Sequence, residues 1–228
     1  IKFFQFFGDS CFFTAQFGTF RNVSTDIREN HGFINFAVSC FQFFNAGFYF
    51  FQFGFPLSFF GLFFFHLLPG KLVFGNGKRK DIEKYIDEIG GKNGVLVCGK
   101  SFEKNGVADE FVKISGGKIK AVFSDVRPNP TTDNVDDCVK IMREIKADFA
   151  VALGGGSPMD CCKAASAIAK GNDKIRSYHS EGKKINKDEA IPMIAVTTTS
   201  GTASEVTNIS VLTDVEKNLK NPMNDPAM

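Results

Sequence analysis

Residues 149–153, Phe-Ala-Val-Ala-Leu, form an uninterrupted apolar run that passes directly into Gly154, Gly155 and Gly156, and then into Ser157-Pro158. An apolar run of this length, bounded by glycines, reads as a strand buried on both faces. Such a strand needs a covering layer above and below, which confines the surrounding chain to a parallel sheet between helices. Ser157 suits a helix cap, Pro158 the first helical position, and Asp160 completes the spacing of a capping box. Read that way alone, the segment is a well-capped helix start. Three glycines exceed what capping requires, however. They let backbone N–H groups approach a pyrophosphate at a helix end that carries partial positive charge. Cys161, Ala164, Ala165 and Ala169 are small and suit close packing of that helix on the sheet.

The pattern around this unit repeats strand and helix from about residue 63. Residues 71–74 read as a short strand, followed by a turn at Gly75-Asn76-Gly77. Ile82, Tyr85, Ile86 and Ile89 recur at helical spacing and stop at Gly90-Gly91. Residues 95–98, 119–123 and 191–196 read as buried strands, 103–114 and 135–145 as helices, and 158–170 as the helix ended by Gly171. A polar connector with Glu181-Gly182-Lys183-Lys184 and a further apolar run at 209–212 complete the reading. Strands alternating with helices imply βαβ units, a mostly parallel sheet, and ligand binding beyond the carboxyl ends of the strands.

A second loop follows the strand at 191–196: Thr197-Thr198-Thr199-Ser200-Gly201-Thr202-Ala203-Ser204-Glu205. It offers hydroxyls and amides at another strand's carboxyl end, where both loops can line one crevice. By contrast, residues 94–101 satisfy the pattern G-x-x-x-x-G-K-[ST] without its mechanism. The four variable positions must wrap phosphate as a loop, and here they are the strand Val95, Leu96, Val97 and Cys98.

The residues before this domain have a different composition. Of 28 Phe in 228 residues, all but five precede Lys71, mixed with Gly, Gln, Ser and Asn. Residues 33–68 contain no Asp, Glu, Lys or Arg, a length that formally admits a membrane span, with Lys78, Arg79 and Lys80 following. Pro56, three glycines and recurring polar residues interrupt that run, so membrane association is the less favoured expectation. Because Phe has T-rich codons and the chain starts at Ile1, residues 1–62 are expected to be a low-complexity extension or translated non-coding sequence. Residues 63–228 are expected to form the α/β domain. The net charge of +2 excludes the basic excess of a nucleic-acid binder. Six Cys without a C-x-x-C pair fit neither a disulfide framework nor a zinc site, and are expected as reduced thiols of a cytoplasmic protein. His31, His66 and His179 are too scattered for a metal site or a serine triad, and His179 is expected as a solvated loop residue.

Five pieces then stand in one order: residues 69–77 (Pro-Gly-Lys-Leu-Val-Phe-Gly-Asn-Gly), Pro128-Asn129-Pro130-Thr131, residues 154–160 with Lys163 and Ala164, residues 198–207, and Leu212-Thr213-Asp214 with Lys220. In these the chain resembles the iron-containing (group III) alcohol dehydrogenases, over about residues 63–228. The resemblance implies that family's N-terminal Rossmann-like domain and binding of NAD or NADP. Gly154, Gly155, Gly156 and Ser157 match the pyrophosphate loop, with Asp160 beside it. Thr198, Thr199, Gly201 and Thr202 match the loop near the phosphates and nicotinamide ribose, and Asn129 and Lys220 match further cofactor contacts.

Many NAD-preferring members resemble Val-Thr-Asp after the second strand, whereas this chain reads Val97-Cys98-Gly99-Lys100. Without that carboxylate, and with Lys100 at hand, a 2′-phosphate is admitted, which favours NADP. Thr197 stands where the family usually has proline and is expected to alter the loop's stiffness more than its contacts. The resemblance also implies an Asp and three His binding Fe²⁺ or Zn²⁺, all expected beyond Met228, a small alcohol or aldehyde substrate, and a homodimer. On this reading residues 1–228 are the cofactor half of the enzyme and inactive alone. The alternatives are a non-catalytic or membrane-tethered dinucleotide-binding module, and a glycerol dehydrogenase-like or dehydroquinate synthase-like enzyme.

Overall fold

The computed structural model describes residues 71–73 and 75–228. The expected boundary at residues 62 and 63 and the uncharged run at 33–68 lie outside the described residues. Within them, four parallel strands form one sheet: β1 (Gly94–Cys98), β2 (Ile119–Phe123), β3 (Phe149–Gly154) and β4 (Met193–Thr197). Their order is β2-β1-β3-β4. The chain moves outward from β1 to β2, then returns to the other side of β1 for β3, so the topology switches between β1 and β3. Crevices for ligands open at such a switch, beyond the strands' carboxyl ends.

Period-2 alternation divides the core into two layers. Val95, Val97, Ala150, Ala152 and Ala195 face a layer containing α4 (Thr132–Glu144) and α5 (Gly156–Ala167). Leu96, Phe149, Val151, Leu153, Ile194 and Val196 face the opposite layer, with α1 (Ile82–Glu88) and α3 (Val107–Ile114). On the first face the strands contribute alanines, so α5 can lie close to the sheet. On the second face the bulk comes from Phe149, whose ring occupies the space that a Cβ on Gly94 would need.

α5 is buried almost all round, from Pro158 and Met159 through Cys161–Ala167, because it packs against β3, α4 and β5 (Ile209–Asp214) at once. β5 pairs antiparallel with β6 (Leu219–Asn224) in a separate two-stranded hairpin. The hairpin is fastened to the start of α4 by a bridge between Thr131 and Thr213, with Thr213 N–H donating to the Pro130 carbonyl at 3.0 Å.

Several expectations need correction. Residues 71–73 are irregular rather than a strand. The helix expected at 103–114 is two, α2 (Lys100–Lys104) and α3, because Gly106 takes φ +77°, outside the helical region. The polar connector contains α6 (Ile175–His179), and β6 was not anticipated because Pro222 and three charged or amide residues obscure its alternation. Among the described residues no helix is long and apolar enough to cross a membrane.

Helix α4 begins as its sequence suggests, with the Thr131 hydroxyl accepting from Asn134 N–H at 3.2 Å. Thr131→Ala is expected to cost about 1 kcal/mol and lower the melting temperature by about 2–4 °C in a thermal unfolding scan.

Candidate dinucleotide site

β3 and β4 end side by side, with Gly154 paired to Thr197. Thr198 N–H donates to the Gly154 carbonyl at 3.0 Å, so the glycine loop and the threonine loop leave the sheet tied together. The Thr197 hydroxyl donates to the Thr199 carbonyl at 3.0 Å, bracing the turn where a proline would stiffen it otherwise. Gly154 takes φ +144°, a conformation that side chains rarely adopt. A Cβ on Gly155 would lie 2.8 Å from Thr199 Oγ1, and one on Gly156 would lie 3.0 Å from Thr202 Oγ1. The glycines therefore admit the hydroxyls of Thr199 and Thr202 against the backbone of the glycine loop, and the two loops border one junction, the candidate cradle. A Cβ on Gly201 would meet nothing within 4 Å.

Ser157 does not cap α5. The cap position is Gly155, which has no side chain to offer the first-turn amides, and the helix has already begun at Gly156. The Ser157 hydroxyl instead accepts from Asn129 N–H at 3.3 Å. Asn129, at φ +55°, turns its side-chain oxygen to accept from Lys220 Nζ at 2.8 Å, across 91 positions of sequence. Hairpin β5–β6 is what carries Lys220 there. Ser157, Asn129 and Lys220, three of the residues singled out from sequence, thus form one polar chain beside the cradle.

Asp160 lies beneath the cradle rather than in it. Its Oδ1 accepts from the Ser204 hydroxyl at 2.5 Å, and its backbone carbonyl accepts from the Ser210 hydroxyl at 2.8 Å. Sequence reasoning gave no role to Ser204 or Ser210, and treated Lys163 only as part of a motif. A signal for Lys163 existed, since it is the one cation among Cys161, Cys162, Ala164, Ala165 and Ala167 of a helix with no polar face.

At the carboxyl end of β1, Gly99 again leaves open space around a would-be Cβ. Lys100 Nζ lies 2.7 Å from Asp125 Oδ1, just past the end of β2, and that ammonium group holds the Asp125 carboxyl below its usual range. Burial pushes the Cys98 thiol up to about 11, with Glu103 adding to the shift. Burial likewise raises Cys138 and Cys162, so these thiols are packing groups rather than nucleophiles. His179 is not a solvated loop residue. It closes α6, its Nδ1 2.8 Å from Ser180 Oγ and its Nε2 3.2 Å from the Asn221 carbonyl.

A doubly covered parallel sheet, with a glycine loop at its switch point and a hydroxyl-rich loop beside it, is an α/β domain of the Rossmann-like kind. Residues 69–228 match the family described as iron-containing alcohol dehydrogenase. The chain belongs to the iron-containing alcohol dehydrogenases. It is similar to the NAD-dependent methanol dehydrogenase of Bacillus methanolicus, 30% identical over 160 residues, covering 69% of this chain and 42% of that protein. It is 34% identical to the 1,3-propanediol dehydrogenase of Klebsiella pneumoniae over 160 residues, 68% of this chain and 41% of the relative. Among solved structures, the sulfoacetaldehyde reductase from Bifidobacterium kashiwanohense in complex with NAD⁺ superposes with a TM-score of 0.67 at 38% identity, over 70% of this chain and 42% of that one. The chain thus spans about two-fifths of the length of these relatives.

Proposed function

We propose that this chain binds a nicotinamide adenine dinucleotide in the cradle between Gly154–Ser157 and Thr198–Thr202, as the cofactor part of an alcohol/aldehyde oxidoreductase. The observation that carries this reading is the pair of absent side chains at Gly155 and Gly156, directly opposite the hydroxyls of Thr199 and Thr202. Backbone N–H groups of the glycine loop would take the pyrophosphate, and Lys220 and Asn129 would contribute a cation and an amide at its edge. The bound nicotinamide would supply a hydride acceptor or donor for a small alcohol or aldehyde. Calorimetric titration of the full chain with NAD⁺, NADP⁺ and ADP tests the reading. Saturable binding of a dinucleotide is expected, and no binding of any of the three at millimolar concentration overturns it.

The family is described as iron-containing, and the resemblance implies Fe²⁺ or Zn²⁺. Among the described residues no group of three His, Cys, Asp or Glu side chains comes together to hold such an ion.

The choice between NAD and NADP turns on Lys100. The preference for NADP treated it as a free cation, but its ammonium is held by Asp125. The pair offers a 2′-phosphate one attractive and one repulsive charge, so we infer that NADP is not favoured over NAD. Asp125→Asn leaves Lys100 uncompensated and is expected to raise the ratio of NADP⁺ to NAD⁺ affinity about fivefold at low salt, with the effect shrinking as salt is added. Lys100→Met should move the ratio the other way. A ratio unchanged in both variants would remove this pair from cofactor selection.

A further inference from the structure

Lys163 lies on α5, two turns inside the helix that opens with the glycine loop, and only 2% of it is exposed. A buried ammonium group is costly unless charge and hydrogen bonds surround it. Here Nζ donates to the Ser204 carbonyl at 2.8 Å and to the Ile209 carbonyl, with the Thr207 carbonyl at 3.3 Å and its hydroxyl at 3.4 Å. The Asp160 carboxylate, one turn earlier on the same helix, lies 3.7 Å away and balances the charge. That carboxylate in turn holds the Ser204 hydroxyl. An ammonium has three protons and these acceptors converge from three residues of one segment, so Lys163 gathers the chain from Ser204 to Ile209 around a single point.

The threonine loop is therefore pinned at both ends to the same β3–α5 unit. At its start Thr198 N–H is bonded to the Gly154 carbonyl, and just past its end Ser204 is held by Lys163 and Asp160. Between these anchors lie Thr199 and Thr202, whose hydroxyls face Gly155 and Gly156. Ala203, at φ +54°, makes the sharp turn into the second anchor, a conformation that the anchor must maintain.

We propose that Lys163 is a positioning residue of the dinucleotide site: through the carbonyls of Ser204, Thr207 and Ile209 it sets the threonine loop at the distance from the glycine loop that a complete dinucleotide requires. This role rests on the dinucleotide reading above. It predicts a selective loss. A ligand that engages both loops depends on Lys163, whereas one confined to the adenosine and phosphate half depends mainly on the glycine loop.

The test compares wild-type chain with Lys163→Met, which keeps the length and apolar stem while removing the charge and its donors. Titration is expected to show NAD⁺ affinity reduced about tenfold or more and ADP affinity reduced less than about twofold. Hydrogen exchange on the ligand-free proteins should show faster exchange at amides of residues 198–209, with β1 and β3 unchanged. Ser204→Ala, which removes one anchor and leaves Lys163 in place, should move both readouts the same way by a smaller amount. If Lys163→Met does not fold, Thr207→Val, which removes the hydroxyl that accepts from the ammonium in this segment, answers in its place by the same two readouts. Equal losses for NAD⁺ and ADP, or none, would overturn the positioning role, as would unchanged exchange at 198–209. If the wild-type chain binds neither ligand, the dinucleotide reading fails and this role with it, while faster exchange still shows that the clamp exists.

Discussion

Gly155→Val is expected to weaken NAD⁺ binding by at least about a hundredfold, about 2.7 kcal/mol, and to lower the melting temperature by only about 2–4 °C. The backbone at Gly155 is extended, φ −89° and ψ −154°, at the edge of the β region and away from the left-handed one. What valine cannot share is the space in front of Thr199, where its Cβ would lie 2.8 Å from Oγ1 and would push the threonine loop away from the glycine loop. The loss should thus fall more heavily on ligand affinity than on folding. Gly154 offers the contrast, because its φ of +144° and a Cβ position 2.7 Å from Pro158 Cγ make substitution there a backbone problem as well. Calorimetry and a thermal scan on Gly155→Val separate the two effects. Wild-type affinity in that variant would mean that the dinucleotide does not use this loop.

The largest expected effect on stability is at Asp214, the fully buried carboxylate that ends β5. It accepts from the Ser180 hydroxyl at 2.7 Å and from the N–H groups of Glu216 and Lys217 at 3.1 and 3.2 Å, and lies 3.2 Å from Arg176 Nε. Asp214→Ala strands these donors together, and a loss of about 3 kcal/mol is expected, about 6–12 °C in melting temperature. Burial by itself would push the Asp214 carboxyl up. Hydrogen bonds from Ser180 and Lys217, the Arg176 charge and the Glu216 N–H outweigh it, and the group sits below the usual carboxylate range. A depressed value in the folded chain means that this contribution is fully present above about pH 4, where an unfolded Asp ionises, and is lost as pH falls through the folded value. Urea melts should accordingly show wild type and Asp214→Ala far apart at pH 7 and converging toward pH 2. A gap that does not narrow would show that the carboxylate is not ionised in the folded chain. Because Asp214 also holds the turn from which β6 carries Lys220 to Asn129, the variant should lose NAD⁺ affinity too.

The sheet and the glycine loop were legible in the sequence because both depend on local chemistry. Apolar runs at 149–153 and 95–98 announce doubly covered strands, and three glycines after one of them announce a close backbone approach. The helix break at Gly106 was less visible, since glycine within a helical pattern is sometimes tolerated and only its φ reveals the interruption. The role of Ser157 was misread for a related reason. Ser-Pro looks like a cap and first position wherever it occurs, and only the approach of Asn129, 28 positions earlier, shows what the hydroxyl is for. Lys100 with Asp125 and Lys163 with Ser204 follow the same rule. Each pairing joins segments that sequence distance keeps apart, and its meaning depends on strand order, which no local pattern encodes.

The unequal faces of the sheet also bear on how this domain can diverge. Beneath α5 the strands present Ala150, Ala152 and Ala195, where any larger residue would lift the helix and the loop at its head. On the other face Phe149, Leu96 and Ile194 fill volume that nothing else supplies, so there a smaller residue leaves a void. Drift is therefore one-sided on each surface, closed to growth on one and to loss on the other. Descendants of this fold can vary their outer helices widely while Ala150, Ala152 and Ala195 stay small beneath α5.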